Sequence, residues 1–89
     1  MHKQDLKNDM LREFGLTLPN GRVKNDRRGK VAEVTFEAFW DGVTEFPRKS
    51  KKEIADDVRY TFGLNFIAWW LIKYFVTELI NYLYNKYSR

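Results

Sequence analysis

Glu33 and Glu37 stand four residues apart, and Asp56 and Asp57 form a second acidic pair further along the chain. Carboxylates at i and i+4 share one face of a helix. Two such pairs brought together would offer the hard oxygen ligands that Mg²⁺ takes alongside retained water. The chemistry of that set would be metal-dependent phosphohydrolysis, carried by Glu33, Glu37, Asp56 and Asp57. Little else in the chain supports catalysis. It has no Cys, no Gly-x-Ser-x-Gly turn and no glycine-rich phosphate cradle, and its single His is His2. The sequence therefore assigns no catalytic residue, no established metal site and no cofactor, and an enzyme is the least favoured class.

Cationic side chains fall into two blocks. Arg22, Lys24, Arg27, Arg28 and Lys30 surround a single acid, Asp26, and Arg48, Lys49, Lys51 and Lys52 form a run without any acid. Between them, Glu33, Glu37, Asp41 and Glu45 carry the opposite sign, so the net charge of +4 hides a patchwork. The basic blocks are candidate contacts for a polyanion, in which neutralised phosphates would release counterions and make affinity fall with salt. The plainer reading is solvated loops that balance the acidic stretch.

The third candidate surface is apolar. Aromatic residues make up 17% of the chain, three of them Trp, and they concentrate between Phe62 and Tyr87. Each buried ring removes about 150–250 Å² from water. A chain of 89 residues buries only about 60–65% of the surface it exposes when unfolded, so a surplus of rings at one end points to association. Trp69, Trp70, Tyr74 and Tyr84 are the expected oligomer-interface residues. Membrane insertion is disfavoured because Asn65, Lys73 and Glu78 interrupt the apolar run.

These groups have to be positioned by a small, mainly α fold. Leu6, Met10, Leu11 and Phe14 recur at helical intervals, which predicts a helix over about 3–14 with Gly15 at its end. Pro19-Asn20-Gly21 predicts a turn or short β-ribbon over 15–24. Residues 31–46 read two ways. A helix over 30–42 would gather Ala32, Phe36, Phe39, Trp40 and Val43 on one face, whereas a β-hairpin would use Asp41-Gly42 as its turn. The separate acidic stripe tips the reading to the helix, with an α+β fold carrying a hairpin at 31–46 as the alternative.

Ser50-Lys51-Lys52-Glu53 is a capping box, which predicts a helix over 50–62. Gly63 breaks it and Asn65 opens the last helix, over 65–87. In that helix Trp69, Ile72, Val76, Leu79 and Leu83 form the apolar ridge, and Lys73, Thr77, Asn81 and Asn85 form a polar stripe.

The whole chain reads as one domain, 1–89, with three or four helices. The leading N-terminal residues lack the apolar core of a secretory signal, and the lack of Cys points to a cytoplasmic setting. The expected function is that of a small non-enzymatic accessory protein. It would self-associate as a homodimer through its aromatic helix and offer its basic loops to an acidic partner. A nucleic-acid-binding regulator of the phage or mobile-element type is the alternative, and a membrane role is not expected.

Overall fold

The computed structural model describes residues 2–88. Four helices follow in chain order: α1 (Lys3–Glu13), α2 (Arg27–Thr44), α3 (Lys51–Phe62) and α4 (Phe66–Tyr87). The fold is all-α, as the sequence predicts. The turn region contributes one isolated antiparallel bridge, Thr17 to Val23, in which the Leu18 amide donates to the Arg22 carbonyl at 2.7 Å.

Residues 31–44 are helical, and the hairpin alternative does not occur. Burial shows why. Val31, Ala32, Thr35, Phe36, Phe39, Gly42 and Val43 all face the interior of α2, a pattern of i, i+3, i+4 and i+7 that no strand could present. The helix also begins earlier than the predicted residue 30, because Asp26 supplies its N-cap by accepting from the Gly29 amide at 2.9 Å. Gly29 is required by close approach: a Cβ there would lie 2.0 Å from the Lys24 carbonyl oxygen. The loop 15–24 is thereby pressed directly on the first turn of α2.

The capping box at α3 is complete. The Glu53 amide donates to Ser50 Oγ at 3.2 Å, and the Ser50 amide donates to Glu53 Oε1 at 3.1 Å. Gly63 ends the helix at φ 62°, and the Leu64 amide reaches back to the Arg59 carbonyl at 3.2 Å. This left-handed cap reverses the chain, and Asn65 then caps α4 by accepting from the Ala68 amide at 2.8 Å. An α3–α4 hairpin results.

α4 packs against all three other helices. Trp69, Val76, Leu79, Ile80 and Leu83 form its buried ridge, meeting Leu6 and Met10 of α1, Phe36 and Phe39 of α2, and Ile54 and Val58 of α3. Aromatic clusters close two parts of the core. Phe14 packs edge-on against Phe75 and Tyr82, and Phe39 packs edge-on against Tyr84 and Tyr87. The Cα envelope measures 35 × 30 × 16 Å, so the molecule is thin along one axis.

Candidate interaction surface

The expected carboxylate centre does not assemble. Glu37 accepts from Lys3 at 3.0 Å and Glu33 lies 3.9 Å from Lys7, so both acids serve to hold α1 on α2. Asp57 instead pairs with Lys49 at 2.6 Å, and Asp56 faces a different groove, between α3 and α4. Among the described residues, no group of three or more His, Asp or Glu side chains is placed to hold a metal ion. The phosphohydrolase reading thus loses its site for a physical reason: Lys3, Lys7 and Lys49 each claim one acid, and Asp56 is left on another groove.

The two basic blocks are also pulled apart. Arg27 and Lys30 rim a hollow on the α2 side of α4, beside Phe62, Leu64 and Leu71, while Lys51 and Lys52 stand on the α3 side. Several of the expected cations have local work. Arg28 lies 5.1 Å from the Phe75 ring centroid, Arg48 lies 4.8 Å from that of Tyr84, and Lys49 pairs with Asp57. The hydrogen bond to Asp57, reinforced by its charge, raises the Lys49 pKa above the usual lysine value. Arg22 joins Lys7 and Arg12 in a hollow against α1. Lys24 is half-buried in the loop beneath Gly29.

Of the four aromatics expected at an oligomer interface, Trp70 and Tyr74 face outward. Trp69 does not: only 7% exposed, it belongs to the core ridge. Tyr84 is half-buried, its hydroxyl donating to the Lys49 carbonyl while its ring meets Phe39, Arg48 and Lys51. It secures the α2–α3 linker to α4.

The exposed set is larger than the sequence reading anticipated. Phe66, Ile67, Trp70, Leu71 and Tyr74 are each 69–79% exposed. Ile67, Trp70, Leu71 and Tyr74 follow the i, i+3, i+4, i+7 spacing of one helix face, and Phe66 borders it. Phe66, Ile67 and Leu71 were missed because a helix with apolar residues over more than half its circumference gives no indication of which apolar face the rest of the chain will cover. The available signal was at its polar end: Glu78 continues the line through Ile67, Leu71 and Tyr74, and it marks that line as facing away from the core.

No helix among the described residues is long and apolar enough to cross a membrane. The fold and this surface together define a small all-helical protein with one uncovered apolar helix face, flanked by cations on both sides. Compared with known proteins, the chain matches no family model, no curated protein and no solved structure.

Proposed function

We propose that the protein is a non-enzymatic interaction module that self-associates through the first half of α4 and carries cationic surfaces for an acidic partner. The observation that carries this reading is the stripe of Phe66, Ile67, Trp70, Leu71 and Tyr74. At their observed exposures these side chains present roughly 700–800 Å² of largely apolar surface. A typical monomer's largest apolar patch is about 300–600 Å². The area instead approaches the about 800 Å² per partner of a standard protein interface.

A two-fold pairing of antiparallel α4 helices suits the pattern. Centred between Trp70 and Leu71, it sets Ile67 opposite Tyr74 and Trp70 opposite Leu71 of the second copy, and a self-complementary patch is what a two-fold axis requires. It also carries Glu78 towards the N-terminal end of the second copy's α4, where the helix dipole favours a negative charge.

Sedimentation velocity across a concentration series tests the proposal. The expected outcome is a dimer at low micromolar concentration, with Leu71→Glu monomeric and unchanged in helical content. A wild-type chain that stays monomeric at several hundred micromolar overturns it. So does a monomer that floats with anionic vesicles through the same stripe.

A further inference from the structure

The α3–α4 hairpin encloses a groove of about 450 Å³. Its walls carry Lys51, Lys52, Arg59 and Lys73, and its apolar surface comes from exposed Phe66 and half-buried Ala55 above the covered Trp69 and Ile80. Among the described residues none of these four cations makes an ion pair, although Lys3, Lys7, Arg12 and Lys49 all do. Asp56 is the one carboxylate on the groove. Phe66 and Asn81 mark its ends along α4, which at 1.5 Å per residue separates them by about 22 Å.

We infer that this groove is a docking site for an acidic amphipathic helix of a partner protein, about four turns long. The inference rests on the acidic-partner half of the proposed function and gives that partner a place and a chemistry. Cations lining both walls without a carboxylate partner call for carboxylates, although Arg59 Nε already donates to the Leu64 carbonyl and Lys51 lies over the Tyr84 ring. The apolar floor calls for aliphatic side chains at helical spacing between them, the pattern by which an amphipathic helix fills a groove. Nucleic acid fits less well. Single strands bind by stacking successive bases on exposed ring faces, and this groove offers only Phe66 at one end, Trp69 being buried. A duplex would reach the rim cations but leave the floor empty.

The groove touches the self-association stripe at Phe66, but the cations to be tested lie at its far end. Lys51 and Lys52 sit at the opposite end of α3 from Gly63, beside the C-terminal half of α4. Replacing them also leaves α3 intact, because acidic residues are favoured in a first helical turn.

The test uses a fluorescein-labelled helical peptide of about 16 residues, with Glu along one face and Leu along the other, titrated into the full chain. Binding in the order of 10 µM is expected, weakening steeply with salt. Lys51→Glu combined with Lys52→Glu should weaken it at least about tenfold, while Asp56→Asn, which removes the opposing charge, should tighten it several-fold. Both variants should sediment like the wild type, so failure of this site is distinguishable from failure of self-association. The inference is overturned if the peptide does not bind, if the Glu→Lys version of the peptide binds equally well, or if the two variants leave affinity unchanged. It is overturned equally if an oligo-dT strand of the same length binds more tightly and responds to the same substitutions.

Discussion

At the scale of single residues, one buried side-chain polar atom among the described residues lacks a hydrogen-bond partner. Thr35 on α2 is fully buried, and its Oγ1 has no hydrogen-bond partner. An unsatisfied buried hydroxyl costs about 1–3 kcal/mol, whereas a methyl of similar shape gains from burial. Thr35→Val should therefore stabilise the fold by about 1 kcal/mol, which at this chain length raises Tm by about 4–8 °C. Thermal melts followed by circular dichroism would show it, and a lower Tm would mean that the hydroxyl has an acceptor. Hydroxyls elsewhere contrast with Thr35. Thr44 and Thr61 both donate to the carbonyl four residues earlier, at 2.7 and 2.8 Å, and the Tyr84 hydroxyl donates to Lys49.

At the scale of elements, the helix ends were the most legible part of the chain. The capping box at Ser50, the break at Gly63 and the cap at Asn65 are local chemistry, written in adjacent residues and visible without tertiary structure. Residues 31–46 were harder to read because strand and helix templates both gathered apolar residues. Only packing of α2 against both α3 and α4 settles which template is filled. The carboxylate pairs show the opposite limit. Glu33 and Glu37 do share a face, as their spacing required, but spacing cannot reveal that Lys7 and Lys3 lie across from them. The same limit applies to α4, whose ridge from Trp69 to Leu83 was readable while its uncovered face was not.

The α3 cap also sets a pH dependence. The hydrogen bond from the Ser50 amide, with that of its hydroxyl beside it, lowers the Glu53 pKa below the ordinary carboxylate range. A carboxylate whose folded pKa is depressed contributes stability that is present in full above its unfolded value. That contribution is lost as pH falls through the folded value. Ser50→Ala should thus shift the Glu53 carboxyl titration upward in NMR. The stability gap between wild type and Ser50→Ala should be widest at neutral pH and narrow on acidification. A gap that stays constant through the acid range would dissociate Glu53 from the cap.

At the scale of the molecule, too much surface remains. The accessible area is 6197 Å², whereas a monomer of 10.7 kDa is expected to expose about 5,500 Å². The excess, about 700 Å², is close to what the α4 stripe presents. The cause is unequal helix length: α4 has 22 residues and spans about 33 Å, while α1, with 11, and α3, with 12, reach about half as far. Three helices can cover three sides of such a post but not the outer face of its first turns, so the fold is only 16 Å thick along one axis. A second copy laid on that face would complete the missing layer. Association of this kind couples folding to concentration by mass action. Each tenfold rise in protein concentration should then raise the wild-type Tm by about 3–5 °C, because the gain is shared between two chains. Leu71→Glu should melt at one temperature regardless of concentration. Differential scanning calorimetry at three concentrations separates the two behaviours, and a wild-type Tm that does not move would place the excess surface outside any self-contact.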